Sequence, residues 1–296
     1  MNGNNAFKLL FVINSVAGAN NISWQDIISN YFTGKEYSID YFVFGDTPDA
    51  ASLRKHITDT LPHKVIAVGG DGTVTLVAKL IAGTNAALGI LPAGSANGMA
   101  KELNIPEIPE EALFIIENGV VSNCDAIKIN NKDICLHLSD IGLNAQLIKY
   151  FDEGKLRGKL GYARVMLKTL WRSQKMDVSV QSKEKEIRAA AFMVVLANAS
   201  KYGTGAVINP EGRLDDGAFE VVVVHKLSFF VLLKMLFRPK QFNPKNIEIF
   251  HATSVKIETK RKVHFQIDGE YMGKINNLQA TILPNYINII LPEKGE

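Results

Sequence analysis

Gly69-Gly70-Asp71-Gly72-Thr73 is the part of this sequence best placed to hold an anion. Val65 to Val68 reads as a buried strand and Thr73 to Ile81 as a helix, so the pentad fills a strand-to-helix turn. Glycines there let the backbone bend tightly and approach a ligand, while the free N–H groups that open the helix point at it. That chemistry is phosphate binding. No Gly-Lys-Ser/Thr follows and the GxGxxG spacing is absent, which argues against an ordinary P-loop and a dinucleotide fingerprint. A second glycine-rich turn, Leu91-Pro92-Ala93-Gly94-Ser95-Ala96-Asn97-Gly98, follows the next strand, where Ser95 and Asn97 offer hydroxyl and amide contacts. The first strand also ends in a polar turn, Asn14-Ser15-Val16-Ala17-Gly18. In a parallel sheet these three turns share one rim, the rim at which such sheets bind ligands. Later in the chain, Asp215-Asp216-Gly217 and Asp268-Gly269-Glu270 set carboxylates beside glycine, and on their own both read as turns.

The elements that position the glycine turns alternate regularly over the first 105 residues. Strands are expected at Lys8 to Ile13, Ser38 to Phe44, Val65 to Val68 and Ala87 to Leu91, each apolar enough to be buried on both faces. Helices are expected at Ser23 to Phe32, Asp49 to Thr60, Thr73 to Ile81 and Ser95 to Leu103. The result is a doubly wound α/β domain. A turn-rich passage around Pro106 and Pro109 leads through one short helix to a boundary near residue 123. Beyond it short strands follow without regular helices: Ala126 to Ile129, Ile134 to Leu138, Val178 to Gln181, Phe192 to Ala197, Phe219 to Val224, Ser254 to Thr259, Val263 to Ile267 and Tyr286 to Leu291. Residues 124–296 are therefore expected to form a mainly antiparallel β-sandwich, with helical insertions at about 146–175 and 227–237.

A length of 296 residues suits two such domains, and 47% hydrophobic with 21% charged residues describes a chain that folds. No apolar stretch approaches the roughly 20 residues of a membrane span. With no signal-peptide pattern and only two cysteines, Cys124 and Cys135, the expected location is the cytoplasm. The net charge of +3 conceals a division, −5 over residues 1–123 against +8 over 124–296. Residues 149–175 carry eight basic side chains against two acidic ones, and 226–245 carry five against none. Arg164, Lys168, Arg172 and Lys175 fall on one face of a helix whose other face is apolar, which suits peripheral contact with an anionic membrane at its inner face. Nucleic acid is not expected, since the basic segments lack interleaved aromatics and no recognised module appears.

The motifs together resemble the diacylglycerol kinase catalytic domain family, which includes bacterial lipid kinases and sphingosine kinases. They are NSVAG (14–18), VGGDGT (68–73), LPAGSANGMAKEL (91–103), DIGLNA (140–145), NASKYGTGAVINPEGRLDDGAFEV (198–221) and IDGE (267–270), and they span essentially the whole chain. The resemblance implies an α/β domain akin to those of phosphofructokinase and NAD kinase, then a β-sandwich, with ATP held at the cleft and its γ-phosphate passed to a lipid hydroxyl. It implies nucleotide contacts at Asn14, Ser15, Gly18, Gly69, Gly70, Asp71, Gly72, Thr73, Ser95 and Asn97. It implies magnesium at Asp216 with the carbonyls of Arg213 and Ala218, a general base at Glu270, and Asp268 beside that base. The expected acceptor is diacylglycerol, a sphingoid base or a related lipid alcohol, and the expected assembly is a dimer. Thr75 and Leu76 depart from the family's usual Asn or His followed by Glu. An NAD kinase-like enzyme and a weakly catalytic lipid- or nucleotide-binding regulator stand as alternatives. The retained Glu270 and Asp216 argue against the regulator.

Overall fold

The computed structural model describes residues 6–17, 23–45, 47–153, 174–198, 201–202, 206–207, 213–226 and 246–293. The chain forms two units, Met1–Cys124 with Asn285–Glu296, and Asp125–Pro284.

The first unit runs β1 (Phe7–Asn14), α1 (Trp24–Phe32), β2 (Tyr37–Phe44), α2 (Ala50–Thr60), β3 (Lys64–Gly69), α3 (Asp71–Ile81), β4 (Ala87–Pro92), α4 (Gly98–Glu102) and α5 (Pro109–Asn118). Its strands are parallel in the order β4-β3-β1-β2. Every residue of β3 and β4 is buried, which is why these strands are continuous aliphatic runs rather than alternating ones. Side chains close the helix ends. Asp49 accepts the N–H groups of Ala51 and Ser52 at 3.0 Å to open α2. The buried Lys64 donates to the carbonyl of Ile116 at 2.6 Å and of Glu117 at 3.2 Å, closing α5 with a positive charge.

This order has a consequence for ligand binding. The chain leaves β1 for β2 on one side, then crosses back to place β3 on the other side of β1. The direction of winding changes between β1 and β3, and the crevice outside their carboxyl ends is where open α/β sheets hold ligands.

The second unit begins within β5 (Val120–Ile129) and continues with β6 (Asp133–Cys135), β7 (Leu138–Gly142), α6 (Leu143–Glu153), β8 (Met176–Ser182), β9 (Glu186–Ala191), β10 (Met193–Ala197), β11 (Lys201–Tyr202), β12 (Ala206–Val207), β13 (Phe219–Val224), β14 (Ile247–Ala252), β15 (Ser254–Ile267) and β16 (Glu270–Leu291). One antiparallel run is β14-β13-β10-β7-β15. The first half of β15 pairs instead with β8, and β8 with β9, so a single long strand serves two layers. Between the layers lies an apolar core that includes Phe219, Val221, Val180, Ile257 and Leu278.

Four expectations are corrected. The last strand, Tyr286 to Leu291, is the end of β16 and lies parallel to β4, Asn288 opposite Ala87, so the closing residues belong to the first unit and not to the sandwich. Ser254 to Thr259 and Val263 to Ile267 are one strand, β15, whose register shifts between Glu258 and Val263. Ile134 to Leu138 is not one strand, because the N–H groups of Leu136, His137 and Leu138 turn onto the carboxylate of Asp268. Ser95 to Leu103 shortens to Gly98–Glu102, because Asn97 adopts φ +50 and interrupts the helix. Of the two basic segments, 154–173 and 227–245 lie outside the described residues. Gln174 and Lys175 would close the expected helix, yet they are non-helical.

Candidate active site

Three turns gather on the rim of the first unit's sheet. Ile13 stands beside Val68, and Gly69 beside Pro92, so the residues after β1, β3 and β4 are neighbours. The turn after β1 is shaped by its own side chains. The Oδ1 of Asn14 accepts the Val16 N–H at 3.1 Å, and the N–H and hydroxyl of Ser15 both donate to the carbonyl of Phe44 at 2.9 Å. Gly18 lies outside the described residues.

The two glycine loops touch backbone to backbone. A β-carbon on Gly94 would lie 2.4 Å from the Cα of Gly70, and one on Gly69 would lie 2.3 Å from the hydroxyl of the buried Thr73. Asp71 then bolts the loops together. Its two carboxylate oxygens accept the N–H groups of Gly98 and Met99, each at 2.9 Å, so they cap α4. The carboxylate thus takes the anion position at α4 and leaves the anion position at α3 open. The N–H groups of Asp71 and Gly72 have no carbonyl partner in the first turn of α3. Asn97 is committed to its own loop, accepting from the Gly94 N–H and donating to the Gly94 carbonyl, both at 2.9 Å. Ser95 and Gly72 are exposed.

In the second unit, Asp268 and Gly269 have φ of +48 and +87 and join β15 to β16 as a two-residue turn of the I′ kind. Glu270 is the first residue of β16 and is exposed beside that turn. Asp268 accepts the N–H groups of Leu136 at 2.9 Å, His137 at 2.9 Å and Leu138 at 3.1 Å, and the thiol of Cys135 at 3.2 Å. It clamps the backbone of residues 136–138 from its place beside Glu270. Burial, then the Asp268 charge, pushes the Cys135 thiol well above its ordinary range.

Two residues to which the sequence assigned no role of their own, Asp125 and Asp140, hold the remaining loops. Asp125 donates its N–H to the Leu214 carbonyl and accepts the Gly217 N–H, both at 2.7 Å, fixing the Asp215-Asp216-Gly217 turn. Arg213 and Asp215 pair with each other at 3.0 Å. Asp216 is exposed and its Oδ1 accepts the Ala218 N–H at 3.1 Å. No cluster of three or more His, Cys, Asp or Glu side chains forms a metal cage among the described residues. The exposed Asp216 carboxylate is nevertheless a hard-oxygen donor of the kind magnesium accepts, with water able to complete its shell. Asp140, within the DIGLNA motif, accepts from Asn144 Nδ2 at 2.7 Å and the Ala145 N–H at 3.0 Å, opening α6. The signal for it was an Asp three residues before an apolar helical stretch.

Residues 8–129 match the family model of the diacylglycerol kinase catalytic domain, and residues 139–291 match that of the YegS C-terminal NAD kinase beta sandwich-like domain. The chain belongs to the diacylglycerol kinase family. Within the family it is 27% identical over 254 residues to a Chromohalobacter salexigens protein named "Probable lipid kinase YegS-like", covering 83% of this chain and 81% of that one. It is 28% identical to a Bacillus subtilis protein named "Diacylglycerol kinase", covering 78% and 79%. The crystal structure of a diacylglycerol kinase from Bacillus anthracis str. Sterne aligns with a TM-score of 0.68 over 97% of each chain at 18% identity. A second structure from that strain reaches 0.79 at 20% identity over 97% of this chain and 98% of that one. At these identities the two structures show the fold alone. This member of the diacylglycerol kinase family is thus an enzyme of the lipid kinase type, and its likeness to NAD kinase lies in the sandwich. Thr75 and Leu76 are half-buried on α3.

Proposed function

We propose that this chain is an ATP- and magnesium-dependent kinase that transfers the γ-phosphate to the hydroxyl of diacylglycerol, a sphingoid base or a related lipid alcohol. The observation that carries the reading is the opening of α3. Its first N–H groups are free, glycine meets glycine beside them, and Asp71 fills the competing anion position at α4. The amides of Asp71 and Gly72 would hold phosphate oxygens, with the exposed Ser95 as a further donor. Asp216, with the carbonyls of Arg213 and Ala218, would hold magnesium. When bound, that ion neutralises charge on the transferring phosphoryl group. Glu270, an exposed carboxylate at the start of β16, accepts the proton of the attacking hydroxyl. The names of the relatives, lipid kinase and diacylglycerol kinase, support the choice of acceptor.

Purified protein incubated with labelled ATP and a panel of lipid alcohols is expected to label at least one lipid. Glu270→Gln is expected to lower that rate by roughly two to four orders of magnitude. The proposal fails if no lipid is labelled, or if the variant keeps full activity.

The basic segments 149–175 and 226–245 support peripheral contact with anionic membrane. No described helix is long and apolar enough to cross one. Co-sedimentation with vesicles that contain or lack anionic lipid tests this, and equal, negligible binding overturns it.

A further inference from the structure

Gln266 is completely buried on β15, between the apolar core residues Phe265 and Ile267. A primary amide there costs stability unless both of its ends are paired, and a methionine would fill the same volume without that requirement. Both ends are paired, and to different elements. Nε2 donates to Asp140 Oδ2 at 2.5 Å, and Oε1 accepts the N–H of Gly269 at 2.8 Å. The main chain of Gln266 is fixed as well, its carbonyl accepting from the Ser139 hydroxyl at 2.7 Å. Asp140 is in turn held by Asn144 and Ala145.

A continuous polar path therefore runs from the first turn of α6 through Asp140 and Gln266 to the amide of Gly269, one residue before Glu270. The two halves of the turn are held separately: Asp268 by the backbone of 136–138, Gly269 by Gln266 alone among the described side chains. A glycine at φ +87 has wide backbone freedom, so its single side-chain tie governs the direction in which the next residue leaves.

We infer that Gln266 is a positioning residue for phosphoryl transfer, which fixes the Gly269 amide and so the approach of Glu270 to the acceptor hydroxyl. The inference rests on Glu270 being the general base, and a double-mutant cycle separates the two claims. Gln266→Met alone is expected to lower kcat for lipid phosphorylation by roughly ten- to a hundredfold, the scale of a small misplacement of a reacting group. Its KM for ATP is expected to stay unchanged, and exchange of the Gly269 amide to quicken while the Leu136 to Leu138 amides stay protected. In the Glu270→Gln background the same substitution is expected to change the residual rate less than twofold, because the group it positions is gone. An equal loss in both backgrounds overturns the positioning role and leaves the base intact. Full activity of Glu270→Gln instead overturns the base. Gln266→Leu likewise removes the tie to the Gly269 N–H and runs through the same cycle, so a methionine variant that fails to fold still leaves a decisive measurement.

Discussion

Gly94 faces Gly70 so closely that the backbones of two loops, 24 residues apart in sequence, occupy the space a single methyl group would need. The contact is between main-chain atoms, which cannot swing aside as a flexible side chain would. Gly94→Ala is therefore expected to cost about 1–3 kcal/mol of stability, as overpacking generally does. It is also expected to weaken nucleotide binding, because the two loops must part. Thermal melting with and without ATP checks both effects. A variant with wild-type Tm and wild-type ATP stabilisation would contradict the close approach.

Asp71 connects those loops through charge rather than contact. Asp71→Ala removes the acceptor for two N–H groups and is expected to destabilise by about 1–2 kcal/mol, the range of a lost helix cap. Asp71→Asn keeps one acceptor oxygen and is expected to fall between that variant and the wild type. If the carboxylate were instead a ligand of bound nucleotide, both variants would lose ATP affinity equally while melting normally, and isothermal titration beside a melt distinguishes the cases.

Asp268 and Glu270 stand two residues apart and are expected to fail in opposite ways. Asparagine tolerates the positive φ at position 268, so Asp268→Asn tests the carboxylate and not the backbone. It places an amide among three N–H donors and is expected to cost about 1–3 kcal/mol. Glu270→Gln, on an exposed side chain, is expected to leave stability within about 0.5 kcal/mol of wild type. Urea denaturation of both proteins measures the contrast, and equal stability would remove the clamp assignment.

The contrast marks the boundary of what the sequence discloses. Strands β1, β3 and β4 were legible because burial on both faces leaves unbroken apolar runs, Leu9 to Ile13 in β1 and Val65 to Val68 in β3, and the Gly69 to Thr73 turn because its chemistry is local. Strands β9 and β14 were missed, as Glu186–Ala191 has one large apolar residue, Ile187, among two charges and three alanines, and Ile247–Ala252 is only half-buried. The function of Asp268 depends on partners about 130 residues away, and Gln266 depends on Asp140 at a similar distance. No local pattern encodes such pairings. Asn97 illustrates the converse, a residue of the second glycine loop whose amide the loop itself uses.

A last test concerns acid stability. Burial alone would raise the Glu117 carboxyl, but hydrogen bonds from Lys35 at 2.6 Å and Tyr31 at 2.8 Å, with the Lys35 charge, hold it below its ordinary 4.5. A carboxyl depressed on folding contributes stability above its unfolded pKa and loses it as pH falls through the folded value. Glu117→Gln is thus expected to lower Tm at pH 7 and to converge on wild type below pH 4.5. A gap that is constant across that range would contradict the ion pair's contribution.

The 22 residues of β16 carry the chain from the second unit back into the first, where its end flanks β4. During synthesis the first 124 residues emerge long before that end does. Until the final stretch leaves the ribosome, the backbone of β4 presents an open hydrogen-bonding edge to whatever strand is nearby. A fragment ending at Cys124 is consequently a poor surrogate for the nucleotide-binding half. Fusing residues 285–293 back onto such a fragment is the natural way to make that half soluble by itself.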